Sequence, residues 1–297
     1  MSCFGRICGR DVKTTDLELA DGWKGRAVMS DSHGRSFSEA EWSDCLSQPQ
    51  SLLEHAQKIL KTEDQNCVVV KNLKIGANQL KVVIKRHCRG EGLREFFRSF
   101  RPGKALRSFN TALKLVPAGI PVAAPLAALY QKQNFLTKQS FYVAEYLENG
   151  SNLYTFTSQQ LPGMRVGRFA VKKQLCHQLA AILTCLHHHG LWHRDSKASN
   201  YLVCEEAGGK YRILLVDMDG IKPYLLRRRS RQFRSLWQLA ASLMSASVVY
   251  RTDYLRTFTS YCRLTGIEKS RRRRIFRELS SRARAKRLRT MTKVTDK

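Results

Sequence analysis

Two β-rich runs, NCVVVKNLKI at Asn66–Ile75 and QLKVVIKR at 79–86, flank Gly76-Ala77-Asn78. Runs of this kind across a short Gly-containing turn predict a hairpin. In 103–116 the apolar residues Leu106, Phe109, Leu113 and Val116 fall at helical spacing, with cations on the opposite face. Pro117-Ala118-Gly119 ends that helix, because Pro breaks the pattern and Gly accepts positive φ. PVAAPLAALYQK and SFYVAEYL then read as two more strands, the second closed by Glu148-Asn149-Gly150-Ser151.

The next segment is helical. Leu175, Leu179, Ile182 and Leu186 recur at spacings of four, three and four, which places them on one buried face, and Gly190 stops the helix. A strand at 201–204, a Gly208-Gly209 turn and a strand at 211–216 follow, ending in Asp217-Met218-Asp219-Gly220. From Phe233 onward the chain is helical, with Leu236, Leu239, Ala240 and Leu243 as one stripe and 250–264 as another. Ahead of all this, SLLEHAQKIL (51–60) is a short amphipathic piece. Residues 1–45 lack steady periodicity apart from a strand near Gly25-Arg26-Ala27-Val28-Met29, and predict a loosely packed extension. Strands, one helix, strands, then helices with one embedded strand pair define an α+β chain in two lobes. The expected division is 1–50 as N-terminal extension, 51–147 as a small β-rich lobe and 148–297 as a larger helical lobe with a basic tail.

Composition narrows the partners. At 297 residues and 43% hydrophobic content the chain can bury a substantial core, so disorder throughout is excluded. A formal charge of +28 points to anionic partners, and residues 227–297 alone carry 21 Lys and Arg against four acids. Nucleic acid is not the expected anion, since the tail has no aromatic-rich RNA-binding pattern and no zinc-finger spacing. The nine cysteines include no CxxC pair and several sit in apolar runs, which predicts reduced thiols in a cytosolic protein. The opening MSCFGRICGRDVK has no apolar core for a signal peptide, and no 18-residue uncharged run occurs, so a soluble or peripheral protein is expected.

The chemistry concentrates in LWHRDSKASNYLV (191–203). Phosphoryl transfer from ATP needs a cation on the donor phosphates, carboxylate and amide oxygens for magnesium, and a group to receive the acceptor's proton. Lys85 closes VVIK, the place of the phosphate lysine in the kinase pattern VAIK. Asp195 and Asn200 reproduce HRDxxxxN, in which Asp is the base and Asn a magnesium ligand. Asp217 ends the apolar run ILLV, the place of the Asp of DFG. Lys197, two residues after the base, fits a contact to the transferred phosphate. Glu145-Tyr146-Leu147 follows strand FYVA where backbone groups would meet adenine, so Glu145 and Leu147 are the cofactor-binding candidates beside Lys85. His187-His188-His189 is not a metal cluster, because consecutive helical residues point apart, and His193 is expected to be a hydrogen-bonding residue of the loop.

From about Lys58 to Asp219 the chain therefore resembles the protein-kinase-like fold. PAGIPVAAPLAAL, the short path after Asp217-Met218-Asp219-Gly220 and the Arg-rich tail resemble the bacterial lipopolysaccharide core kinases, which phosphorylate heptose or Kdo sugars. That resemblance implies an ATP- and magnesium-dependent phosphotransferase acting on a sugar hydroxyl of a lipopolysaccharide core or similar phosphorylated glycolipid. It also implies a cytoplasmic protein, peripheral at an anionic membrane face. Three departures stand out: no GxGxxG precedes Lys85, where the turn is Thr62-Glu63-Asp64-Gln65-Asn66. The helix after Lys85 offers Ser108 and Asn110 instead of an acid, with Glu91 and Glu95 the nearest, and Met218-Asp219 replaces the end of DFG. Asp219 is followed within about 15 residues by the next helix, too short a segment for the peptide platform of protein kinases. This favours a small or glycan hydroxyl acceptor over a protein one; the alternatives to the glycan reading are a protein Ser/Thr or small-molecule kinase of the same fold, or an inactive kinase-shaped binder of anions.

Overall fold

The computed structural model describes residues 12–63, 66–88, 103–133, 136–224 and 228–295. The chain divides into two compact units. The first runs from Val12 to Pro117 and resumes over Val122–Leu147, and the second joins Ala118–Pro121 to the chain from Glu148 onward.

The first unit is a seven-stranded antiparallel sheet ordered β1-β2-β6-β7-β5-β4-β3. Its strands are β1 (Thr14–Glu18), β2 (Trp23–Val28), β3 (Lys58–Glu63), β4 (Asn66–Ile75), β5 (Asn78–Cys88), β6 (Pro125–Gln133) and β7 (Leu136–Glu145). The β4–β5 hairpin forms as expected, with Ile75 opposite Asn78 across Gly76-Ala77. Along β5, Leu80, Val82 and Ile84 are buried while Lys81, Val83 and Lys85 take the other face, the alternation a pleated strand dictates. The predicted strand pair 121–132 and 140–147 appears as β6 and β7.

Residues 14–45 are not a loose extension. β1 and β2 enlarge the sheet by pairing β2 with β6, Trp23 opposite Gln131. Helix α1 (Glu39–Cys45) starts in a capping box, in which Ser38 Oγ accepts from Glu41 N–H and Glu41 Oε2 accepts from Ser38 N–H. It buries Trp42 completely, with the indole N–H donating to the Val28 carbonyl at 2.8 Å. The amphipathic reading of 51–60 also gives way: Pro49–Leu53 is a single 3-10 turn, and the remainder enters β3. Helix α2 (Lys104–Leu115) forms, but its buried face is Ala105, Ser108, Phe109, Ala112 and Leu115. Leu106 and Leu113 are only partly buried. Small residues let the helix approach the sheet closely, and Gly103 at its start lies against Tyr130 and Ser140, whose side chains a Cβ there would meet at 3.1 and 3.0 Å.

The second unit is built on α3 (Arg168–His188), whose predicted stripe of Leu175, Leu179, Ile182 and Leu186 is buried throughout. Each such side chain removed from water stabilises by about 1.5–3 kcal/mol. Gly190 adopts φ 70°, the left-handed turn that ends the helix. β10 (Tyr201–Glu206) and β11 (Lys210–Leu215) form a hairpin, with the short β8 (Gly150–Asn152) on the far side of β10. Gln174 and Gln178 of α3 satisfy the β11 edge: both side-chain amides donate to the Tyr211 carbonyl, at 2.8 and 2.6 Å, and Gln178 accepts from Ile213 N–H at 2.8 Å. β9 (Leu191–His193) pairs with β12 (Ile221–Pro223). Helices α4 (Arg228–Leu243), α5 (Arg251–Leu264) and α6 (Lys269–Thr295) complete the unit. In α4 the predicted stripe holds at Leu236, Leu239 and Leu243, with Ala241 buried in place of Ala240. The three consecutive histidines diverge: His187 is fully buried with Nδ1 2.8 Å from Tyr261 Oη, whereas His188 and His189 are exposed. Among the described residues, no helix is long and apolar enough to cross a membrane.

Candidate active site

The loop between β9 and β10 is fixed at every step by its own backbone and by three neighbouring elements. Arg194 N–H donates to the Gly220 carbonyl at 2.8 Å, extending the β9–β12 ladder into the loop. Asp195 N–H donates to His193 Nδ1 at 3.2 Å, Lys197 N–H to the Asp195 carbonyl at 2.9 Å and Asn200 N–H to the Lys197 carbonyl at 2.9 Å. The Asn200 side-chain amide donates to the Asp195 carbonyl at 2.8 Å. This bond spends the amide nitrogen on the loop and orients Oδ1 as the group left to act as a ligand.

The β10–β11 hairpin has a direct consequence for the site. Tyr201 stands opposite Leu215, so Asn200 meets Val216, whose N–H donates to the Asn200 carbonyl at 3.1 Å. Asp217 is the next residue. The sequence-predicted neighbours Asp195, Asn200 and Asp217 are thus held together by main-chain hydrogen bonds within one unit. Asp219 follows one turn on, with its carboxylate 3.8 Å from Lys222 Nζ.

Asp195 and Lys197 form an ion pair at 3.1 Å with side chains 54% and 46% exposed. A pair so open contributes little to stability, and its carboxylate stays accessible to a hydroxyl. Asn200 by contrast is buried, as are His193 and Ser196. Burial pushes the His193 imidazole below its ordinary pKa, against the opposing pull of Asp217 and Asp195, which favours the neutral form that can accept from Asp195 N–H. Gly220 lies flat against that ring; a Cβ there would fall 2.3 Å from His193 Cε1 and 2.8 Å from Nδ1.

Sequence reasoning missed the support that α4 gives. Gln238 Oε1 accepts from Ser196 N–H at 3.4 Å, Ser242 Oγ accepts from Ala198 N–H at 2.8 Å, and Ser235 Oγ donates to the His193 carbonyl at 3.2 Å. A signal was present: Ser235, Gln238 and Ser242 recur at spacings of three and four, a polar stripe beside the apolar one. Ser196 Oγ also lies 2.8 Å from Tyr201 Oη, both groups buried. Arg231 and Arg234 of α4 stack over Trp192 of β9, 5.6 and 5.7 Å from the ring centroid, so part of the 227–234 charge braces the loop's entry strand.

In the first unit, Lys85 sits on β5 between Val68 of β4 and Tyr142 of β7. Glu91 and Glu95 lie outside the described residues, and so do Asp64 and Gln65 of the turn that stands where a Gly-rich loop is expected; Glu63 and Asn66 pair on either side of it. At the end of β7, Glu145 N–H donates to the Ala124 carbonyl at 2.9 Å and Tyr146 N–H to the Lys81 carbonyl at 3.0 Å, which fixes the backbone leading into Leu147. The Glu145 carboxylate is itself clasped, Oε2 accepting from Ser32 Oγ and Oε1 lying 2.7 Å from His33 Nε2. No sequence pattern pointed to Ser32 or His33.

The oxygen donors fit a hard cation. One carboxylate, Asp217, and one amide oxygen, that of Asn200, match magnesium, which usually takes one or two protein oxygens and fills its octahedron with phosphates and water. Among the described residues no group of three or more His, Cys, Asp or Glu side chains is gathered as for a metal caged by protein alone.

The strand-rich unit carries Lys85 and the helical unit carries Asp195, Asn200 and Asp217 on one loop and hairpin, the order in which kinase-like phosphotransferases carry such groups. The sequence matches the family model for the lipopolysaccharide kinase (Kdo/WaaP) family over residues 71–261, and the chain belongs to that family. Membership of a kinase family implies ATP as donor and a divalent metal. Among solved structures, WaaP in complex with acyl carrier protein superimposes with a TM-score of 0.57 at 18% identity, covering 80% of this chain and 92% of that one. The Toxoplasma gondii specific rhoptry antigen kinase domain aligns at a TM-score of 0.43 and 13% identity, over 76% of this chain and 82% of its own. No curated protein matches the sequence.

Proposed function

We propose that the protein transfers the γ-phosphate of ATP to a sugar hydroxyl, of heptose or Kdo, in the lipopolysaccharide inner core, working peripherally at the inner face of the cytoplasmic membrane. The observation that supports this reading is the Asp195–Asn200–Val216 arrangement, which brings the loop of Asp195 and Asn200 beside the strand end that leads into Asp217.

Asp195, accessible and aligned by three hydrogen bonds to its main chain, would orient the acceptor hydroxyl and take its proton. Lys197 would leave its ion pair to meet the transferred phosphate, an exchange that costs little for so exposed a pair. Asn200 and Asp217 would hold magnesium, which supplies charge neutralisation at the donor phosphates. Lys85 would orient those phosphates, and the backbone of Glu145 and Leu147 would receive adenine. The segment between Asp219 and the start of α4 at Arg228 is too short for a peptide platform, which supports a glycan acceptor.

The test offers the full chain Mg-ATP with deacylated core glycan beside a casein-like protein. Phosphate should pass to the glycan alone. Asp195→Ala should lower turnover by about 10²–10⁴-fold while the Mg-ATP thermal shift persists; undiminished turnover would sink the mechanism, and transfer to protein would sink the acceptor.

A further inference from the structure

Helices α5 and α6 enclose a groove of about 470 Å³ lined by Arg251, Leu255, Phe258, Lys269, Arg273 and Phe276, with Thr252, Thr259 and Arg272 completing the wall and no acid among them. Its floor is apolar: Phe258 and Phe276 pack ring to ring at 5.5 Å, and Leu255 is 47% exposed above them. Lys269, Arg272 and Arg273 stand at the start of α6, whose first turn holds no acid. Cations there oppose the helix dipole, whereas an anion at the same place is favoured by both the dipole and the side chains. Further apolar surface is exposed next to Arg256, the residue that follows Leu255 on α5. Phe169 is 66% exposed beneath the Arg256 guanidinium, 5.0 Å from its ring centroid, and Val166 is 90% exposed three residues earlier.

We infer that this groove seats the phosphate of an anionic membrane lipid, with Leu255, Phe169 and Val166 entering the headgroup region beside it. A soluble phosphate has no use for the apolar floor or for two bare hydrophobic side chains, whereas cations around exposed apolar residues are what an interfacial surface needs. The inference rests on the lipopolysaccharide-kinase reading for why the protein meets a bilayer, and it makes the α5–α6 face the one that does so.

Co-sedimentation of the full chain with phosphatidylcholine vesicles, with and without phosphatidylglycerol, tests it. Binding should require phosphatidylglycerol. Each cation near such a surface contributes about fivefold, so Lys269→Glu with Arg273→Glu should weaken partition by about 25-fold or more. Phe169→Ser with Leu255→Ser should weaken it too, and both pairs sit on exposed positions where folding is spared. Arg284→Glu with Arg289→Glu, the same charge change near the far end of α6, should cost far less. Wild-type binding by the groove variants, or an equal loss from the distal pair, overturns the assignment; so does equal displacement by dissolved glycerol phosphate. Phosphorylation of soluble deacylated glycan by all variants keeps the two readings apart: its absence from the wild type, with groove-dependent binding intact, defeats the kinase reading and leaves the docking face standing.

Discussion

The Asn200 side-chain amide donates to the backbone carbonyl of Asp195 at 2.8 Å, so the side chain proposed to give one oxygen to a metal is tied to the backbone of the proposed base. Asn200→Asp keeps an oxygen ligand but replaces the donor with a second acceptor facing the carbonyl. The loop should shift, and a displacement of about 1 Å at a reacting group can cost about 100-fold. The expected outcome is a fall in kcat of about that size or more, at an ATP thermal shift that remains measurable. Steady-state kinetics on the soluble glycan checks it; wild-type kcat would show that the bond does not position Asp195.

Gly220 owes its identity to His193 rather than to its own backbone angles. A methyl at this position would overlap the imidazole, with Cε1 only 2.3 Å away, and the ring is fully buried with nowhere to retreat. Overpacking of this kind costs about 1–3 kcal/mol. Gly220→Ala should therefore lower stability in urea by that amount, and by moving His193 it should also loosen Asp195, lowering kcat more than it raises the KM for ATP.

His193 couples the loop to pH. Burial holds its folded-state pKa below the ordinary value of about 6.5, so the folded protein binds this proton less readily than the unfolded chain. Its contribution to stability is complete above about pH 6.5 and is lost as pH falls below that value toward the lowered folded pKa. Urea titrations on the acid side of neutrality should show stability falling with acidification, and His193→Asn should flatten that slope whatever it does to the absolute value. An unchanged slope would mean that other groups govern the acid limb.

The site's inner part was legible because it is local. HRDxxxxN and ILLVD lie within 25 residues of each other, and the Gly208-Gly209 turn that folds Asn200 onto Val216 declares itself. The α3 stripe was equally plain, since its four large aliphatic residues are all buried, together with Val171 and Leu183. What escaped depends on distant partners. β1 mixes charges with a single apolar residue, Leu17, and β2, whose strand near Gly25–Met29 the sequence did suggest, is tied into the sheet by β6, about a hundred residues on. In α2 the buried face adds the small residues Ala105, Ser108 and Ala112 to Phe109 and Leu115, so ranking by hydrophobicity finds Phe109 but also selects Leu106 and Leu113, one position round the helix. Ile59 and Leu60 stay 65% and 45% exposed on the edge strand β3, where a register shift falls between Ile59 and Lys61; no helical face exists there to bury them. The clasp of Ser32 and His33 on Glu145 spans more than a hundred residues and leaves no trace in either local pattern.

Asp253 anchors the start of α5 to α3, and its removal should be the most costly single change of those considered. Its carboxylate accepts from Lys172 Nζ at 2.6 Å, from Arg256 at 2.7 Å and from Tyr250 N–H at 2.9 Å, and its side chain is only 7% exposed. Lys172 is nearly as buried; beyond Asp253 it has the Val248 carbonyl at 2.7 Å and the Tyr250 ring, 4.3 Å from centroid to Nζ. Removing the acid strands a buried ammonium whose remaining contacts are neutral, which typically costs about 3–5 kcal/mol. Asp253→Ala should lower the urea midpoint accordingly. Lys172→Met in the same background should restore part of the loss by withdrawing the stranded charge, a recovery that a simple packing defect would not show.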